Sequence, residues 1–282
     1  YLISGKSFNI DNIIDKALKS KNNAKVKFLN RNFKIFLDIE KVYLDKKNVI
    51  NNLNGFLFFD KNEISELNLE SKFSNQEVIK FTIQSNDKEK ITKLFSYQAK
   101  PFVNRYKFIK GFEEGILDFY SIKKNGMTNS TLKIDNFKIQ EIPVLAKLLT
   151  LASLQGIADL LTGEGIRFSD FEMKFSSNNK LMTIEEMYAI GPAISILMEG
   201  YIEKNNLISL RGTLVPATTI NRTISSIPVI GNILVGKKVG EGVFGVSFKI
   251  KGPPKDLETT VNPIKTLTPR FITRTLEKIK KN

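Results

Sequence analysis

The chain contains no histidine, no cysteine and no tryptophan in 282 residues. Without imidazole or thiol side chains it has no means of Ser-His-Asp or Cys-His catalysis, and it can form neither a disulfide nor a zinc site built on those ligands. The missing residues do not exclude metal sites made of carboxylates alone, nor hydrolysis by paired carboxylates. The lack of cysteine suits a cytosolic protein and a bacterial envelope protein equally, so it leaves the compartment open.

The acidic residues that occur in clusters are Glu113 with Glu114, Glu185 with Glu186, and Asp170 with Glu172. Each cluster stands beside polar residues typical of turns or strand edges, and none has a neighbouring nucleophile or base that would complete a catalytic centre. We therefore interpret these carboxylates as solvated. We predict a protein that is not an enzyme, with no catalytic residue, no cofactor and no metal site.

The chain has a large excess of basic residues, with 43 Lys and Arg against 29 Asp and Glu and a formal net charge of +14. A basic surface concentrates nucleic acid or anionic lipid. Heavy use of Lys, Asn and Ile is also what an AT-rich genome produces, and we favour that origin together with solvated faces. The basic residues are scattered rather than interleaved with aromatics on one face, so we expect no nucleic-acid partner.

The 41% of apolar residues suffices for a sizeable core, in one large domain or two ordinary ones. The chain opens at Tyr1 with what reads as the middle of a strand, so we expect a piece of a longer protein. Residues 24 to 97 then read as short apolar strands separated by polar turns too short for a crossover helix. The predicted strands are Lys25–Leu29, Phe33–Leu44, Gly55–Phe59, Ile64–Leu69, Val78–Ile83 and Ile91–Tyr97.

Three strands share an irregularity in which the apolar alternation changes parity by one residue. The changes fall at Glu40-Lys41, Asp135-Asn136 and Ser169-Asp170. A β-bulge does this while keeping the same face inward. The fold class predicted is mainly β: a long, twisted and curved antiparallel sheet, open and groove-like, with a few apolar or amphipathic helices capping it near the C-terminal end.

Two segments of the C-terminal half share the order Ile-Pro-Val, apolar helix, Gly-Glu-Gly and amphipathic strand. The first has a helix over about 142–162, with Pro143 in its first turn and Gly163 as its stop, and the second has a helix over about 226–235. Between them we predict a hairpin, 194–202 and 208–214, with its turn at Lys204-Asn205-Asn206. Neither apolar helix is long enough to cross a bilayer.

The last segment, about 264–280, predicts a basic amphipathic helix. Such a helix suits an anionic membrane surface or a partner protein. It could equally lie on its own sheet with the basic face in water, which is the alternative we favour slightly. The candidates for membrane-surface contact are Arg270, Phe271, Ile272, Arg274 and Lys278.

Four separated strings occur in one order: 210–217 (LRGTLVPA) with Asn221, 227–231 (IPVIG), 240–246 (GEGVFGV) and 261–263 (VNP). In these strings the chain resembles the C-terminal region of AsmA-like envelope proteins, closest to the large YhdP-type members of proteobacteria. The match is dense over about 190–280 and fades upstream. The resemblance implies two domains: 1–110, an antiparallel meander forming part of a longer repeated sheet, and 111–282, the AsmA-like C-terminal domain.

The resemblance also implies a periplasmic protein, anchored to the inner membrane through a segment outside this chain, that moves or holds phospholipid between the inner and outer membranes. It supplies no catalytic residues. Apolar strand faces can hold acyl chains or pack as ordinary core beneath helices, and the sequence leaves both open. The lipid-groove candidates are Phe137, Ile139, Ile166, Phe168, Phe171, Met173, Phe175, Ile194, Ile196, Phe244, Val246 and Phe248. The alternative function is a structural or assembly module for outer-membrane biogenesis that acts through protein contacts.

Overall fold

A computed structural model describes residues 1–14, 32–60, 63–105, 109–204, 206–216, 245–254 and 256–264. Short helices in these ranges are α1 (Lys100–Val103), α2 (Pro143–Leu151) and α3 (Gln155–Thr162), and residues 11–14 are helical as well. The strands are β1 (Leu2–Asn9), β2 (Phe33–Tyr43), β3 (Val49–Asp60), β4 (Glu63–Lys72), β5 (Val78–Ser85), β6 (Lys90–Ser96), β7 (Glu113–Lys124), β8 (Met127–Ile139), β9 (Ile166–Ser177), β10 (Leu181–Ile190), β11 (Ile194–Glu203), β12 (Ile208–Pro216), β13 (Gly245–Gly252) and β14 (Glu258–Ile264).

The fourteen described strands form one sheet, in which each strand neighbours the next along the chain. This confirms the mainly β class with few helices. The order arises because most connections are tight turns, which can join only antiparallel neighbours. Strand β1 instead runs parallel to β2, with Leu2 opposite Phe36.

The described residues divide into two compact units. Unit 1 comprises Tyr1–Lys107, Phe112–Asp135 and Phe175–Asn179, and unit 2 comprises Phe108–Gly111, Asn136–Lys174 and Lys180–Asn282. The division that the resemblance implies, at residue 110, would instead assign β7 and all of β8 to the C-terminal domain.

Two of the predicted parity changes in the apolar alternation coincide with asparagine residues that have a left-handed backbone conformation. In β8, Asn136 has a φ of 53° and lies between Ile134 and Phe137, which are both buried. In β2 the change at Glu40 involves the neighbouring strand as well, because Glu40 and Asn52 are left out of the β2–β3 pairing and Asn52 has a φ of 54°. Asparagine tolerates this left-handed conformation better than most residues, so it can reverse the facing of a strand.

The helix predicted over about 142–162 forms as two helices. It begins at Pro143 and ends before Gly163 as expected, but it is interrupted at Ser153, whose φ is 58°. There the Ser153 N–H donates to the Thr150 carbonyl, and the Leu154 N–H donates to the Leu149 carbonyl. This pair of hydrogen bonds is the Schellman motif, which usually has glycine at the left-handed position.

Several predictions lie outside the described residues: the strand 25–29, the helix 226–235, and the helix 264–280 apart from Ile264, which ends β14. The hairpin prediction is confirmed, since β11 and β12 pair antiparallel with Ile202 opposite Ile208. Within the described ranges, the longest helix has nine residues, and none has the length and apolarity that crossing a membrane requires.

Candidate functional site

One side of the unit 1 sheet is apolar across β2 to β7, and we call it the apolar face of unit 1. Side chains of directly paired residues lie on the same side of a sheet, so the register assigns them to one face. Pairs such as Ile35 with Leu57 and Phe81 with Leu94 establish this. The apolar members are Phe33, Ile35, Leu37, Ile39, Leu53, Leu57, Phe59, Ile64, Leu67, Leu69, Ile79, Phe81, Ile83, Leu94, Leu117 and Phe119.

The opposite side of the same strands is largely polar. It carries Asp38, Glu66 and Lys80 at positions that alternate with the apolar ones. It also carries exposed aromatic residues, among them Phe36, which is 48% accessible and lies beside Phe56. The Lys34 ammonium is 3.7 Å from the Phe56 ring centroid. Unit 1 is therefore an amphipathic sheet.

One end of the apolar face is covered. Ile39, Val42, Leu53 and Ile79 belong to a buried cluster against which Ile10 and Ile14 pack, together with Phe102 of α1. Arg105 stabilises the packing at this end, because its guanidinium forms a 2.9 Å ion pair with Asp11 and donates a hydrogen bond to the Leu44 carbonyl. This end is an ordinary hydrophobic core.

Much of the rest of the apolar face is partly accessible, although Leu67, Ile83 and Leu117 are buried there. Phe33, Ile35, Leu57, Phe59 and Phe81 are all incompletely buried and stand outside the cluster just described. Phe33 and Phe59 stack on each other with ring centroids 4.7 Å apart. The described helices pack chiefly on β7 and β14, so the middle strands of unit 1 receive little helical cover from them.

Unit 2 has a comparable apolar face across β10 to β14, and part of it is closed. The register places Ile184, Ile194, Leu214, Val246 and Phe248 on one side, and each of these is at most 5% exposed. The partly accessible apolar residues of the same side are Met182, Ile196, Met198, Ile202, Ile208 and Leu210. Helix α2 packs against β14 in this unit. Apolar side chains that are this completely buried act as core.

The structure brings together part of the predicted lipid groove. The Phe137 ring stacks on Phe168 at 5.4 Å and meets Phe171 edge-on at 6.4 Å, so the parity change in β9 does bring Phe168 and Phe171 to one side. The candidates buried as core are Phe137, Ile139, Ile166, Phe168, Ile194, Val246 and Phe248. Those partly accessible are Phe171, Met173, Phe175 and Ile196. Phe244 and the membrane-surface candidates Arg270, Phe271, Ile272, Arg274 and Lys278 lie outside the described residues.

The accessible apolar face of unit 1 was missed by reasoning from sequence. Part of its signal was present, since Phe33, Ile35 and Leu37 alternate with Lys34, Phe36 and Asp38, two of which are polar. Alternation shows that a face is apolar but not whether another element covers it.

The expectation that the carboxylate clusters are solvated is wrong for two of their members. Glu172 is 8% exposed and accepts a 2.7 Å hydrogen bond from the Tyr188 hydroxyl, while its other oxygen lies 3.3 Å from the Lys174 ammonium. Glu186 is 7% exposed. The Tyr188 hydroxyl on β10 and the Lys174 ammonium on β9 make the burial of Glu172 tolerable, and sequence spacing does not reveal the contact with Tyr188. The described residues contain no group of three or more potential protein ligands for a metal ion.

A depression of about 620 Å³ opens over β10 to β13 in unit 2, lined among others by Glu199, Tyr201, Arg211 and Lys249. The Arg211 guanidinium is already paired with Glu199, at 2.7 and 2.8 Å. The lining mixes charged side chains with the apolar Ile184, Leu210 and Ile250, and we assign the depression no function.

Comparison with protein-family models, with curated proteins and with solved structures found no significant match.

Proposed function

We propose that this chain is a non-catalytic lipid-transfer or lipid-holding segment in which acyl chains lie on the apolar face of unit 1. The observation that carries the proposal is the accessibility of Phe33, Leu57, Phe59 and Phe81, large apolar side chains on one face of a sheet. Contiguous exposed apolar surface is uncommon on soluble proteins and usually marks an interaction site.

The energetics favour acyl chains as the occupant. Covering apolar surface contributes about 25 cal/mol per Å², so two chains that together remove on the order of 400 Å² from water gain about 10 kcal/mol before ordering costs. The middle of this face carries mainly apolar side chains and so offers few hydrogen-bonding groups, and acyl chains need none.

The resemblance to AsmA-like proteins supports the same assignment and adds an expected lipid class and compartment. On that basis the lipid is phospholipid, the compartment is the periplasm, and anchoring to the inner membrane occurs through a segment outside this chain. A protein that holds lipid between two membranes serves outer-membrane biogenesis without catalysis.

A photo-crosslinking amino acid in place of Phe81 tests the proposal. Phe81 lies on the apolar face and Thr82, the next residue of β5, on the opposite one, so Thr82 is the matched control position. After irradiation in bacterial cells and purification, mass spectrometry should show phospholipid adducts at position 81 and none at 82.

Adducts to another protein at position 81, with no lipid adduct, would instead favour the assembly module that acts through protein contacts. The same conclusion would follow if purified chain carried no lipid and took up none from fluorescent vesicles.

A further inference from the structure

Two lysines stand directly opposite each other on the apolar face of unit 1. Lys90 begins β6 and Lys123 lies near the end of β7, and the two residues are register partners. Directly opposed side chains in antiparallel strands have Cβ atoms about 5 Å apart, and like charges in that position repel. The arrangement costs stability unless an anion lies nearby.

Lys90 is held in a partly buried position. Its ammonium donates a 2.8 Å hydrogen bond to the Ile64 carbonyl of β4, two strands away. Burial lowers the pKa of Lys90, the nearby Glu63 carboxylate opposes that effect, and the charge of Lys123 adds to it. Glu63 is exposed and is the acidic group that faces Lys90.

The pair borders both polar and apolar parts of the face. The next residues along β6 and β7 on this side are Thr92 and Ser121, and beyond them lie Leu94 and Phe119. At about 3.4 Å per residue, Leu94 is about 14 Å along the strand from Lys90. On the other side of Lys90, Ile64, whose carbonyl Lys90 contacts, is the register partner of the partly accessible Phe59. The two cations therefore adjoin the accessible apolar surface.

We propose that Lys90 and Lys123 bind the phosphate of an acidic phospholipid whose acyl chains lie on the apolar face of unit 1. This inference rests on the proposed function and adds headgroup selectivity to it. Two ammonium groups complement one phosphate that has no compensating cation of its own, whereas a zwitterionic headgroup brings its own ammonium. The apolar surface beside the pair accounts for a lipid phosphate in preference to free phosphate.

The test compares vesicles of dioleoyl phosphatidylglycerol with vesicles of dioleoyl phosphatidylcholine, which have identical chains. Lipid bound per protein is measured by mass spectrometry after the vesicles are removed. The natural chain should bind the acidic lipid more tightly. Lys90→Gln combined with Lys123→Gln should weaken that binding roughly tenfold, the effect of losing about one charge-assisted hydrogen bond, and leave phosphatidylcholine binding unchanged.

The control variant combines Lys93→Gln and Lys124→Gln. It removes the same charge from the same two strands but at positions on the opposite face. It should preserve the selectivity. Glu63→Gln should strengthen phosphatidylglycerol binding, because it removes the competing carboxylate. Glycerol phosphate, which has no chains, should fail to displace the lipid.

The outcomes separate the two proposals. If the natural chain binds neither lipid, the proposed function fails. If it binds both equally, or if the two double variants behave alike, headgroup selection at Lys90 and Lys123 is refuted while lipid binding stands. Displacement of the acidic lipid by glycerol phosphate would show a plain phosphate site and overturn the assignment to a lipid.

Discussion

Gly55 shows how a single residue keeps the apolar face of unit 1 intact. It lies between Leu37 and Leu69 in the register and has a φ of 143°, which side chains rarely allow. A Cβ there would stand 3.0 Å from the Leu69 Cα and closer still to the Asn68 carbonyl. Only glycine lets β3 and β4 approach in this way.

We therefore expect Gly55→Ala to lower the free energy of unfolding by about 1–3 kcal/mol, through backbone strain and the clash with β4. Gly5→Ala in β1 is the matched control, because no heavy atom lies within 4 Å of its added Cβ. Urea unfolding followed by circular dichroism measures both. Equal effects of the two variants would contradict the strain argument.

At the scale of elements, the break between α2 and α3 is a feature that the sequence did not predict. The start at Pro143 and the end at Gly163 were predictable, since both residues act locally. The break was not, because serine is an uncommon residue at the left-handed position of a Schellman motif. The apolar pattern runs through Ser153 and predicts one helix.

Ser153→Gly should raise the free energy of unfolding by about 0.5–1 kcal/mol, since glycine adopts the left-handed conformation without the cost that a Cβ adds. The chain keeps the two hydrogen bonds to Leu149 and Thr150, which come from the backbone. Ser153→Ala serves as the comparison and should not stabilise. Thermal unfolding of both variants checks this, and a destabilised glycine variant would show that the serine side chain contributes more than its backbone conformation.

Strand predictions succeeded where the signal was local. The predicted Phe33–Leu44 became β2, and the predicted Val78–Ile83 became β5 with two added residues, because apolar alternation and polar turns act over a few residues. The parallel pairing of β1 with β2 and the burial of Glu172 depend on contacts distant in sequence. No spacing rule anticipates those.

Across the whole molecule, each unit buries part of its apolar face and leaves part of it accessible. Leu67 and Ile83 of unit 1 are buried near the partly accessible Phe59 and Phe81, and Val246 of unit 2 is buried while Ile196 is partly accessible. Both faces carry similar residues, so composition could not tell the buried positions from the accessible ones. Only the packing of other elements on each sheet does so.

Hydrogen exchange with and without phospholipid should locate the bound lipid. A ligand that binds the folded protein stabilises it by mass action, by about 2.7 kcal/mol at a free concentration one hundred times its dissociation constant, and it slows local opening where it binds. Amides of β3 to β6 should therefore exchange more slowly with lipid, while those of β11 to β13 should change little, because the proposed function assigns the acyl chains to unit 1. Mass spectrometry of peptides from the two regions measures both, and glycerol phosphate replaces lipid as the control. Protection confined to β11–β13 would place the lipid on unit 2 and contradict the assignment to unit 1.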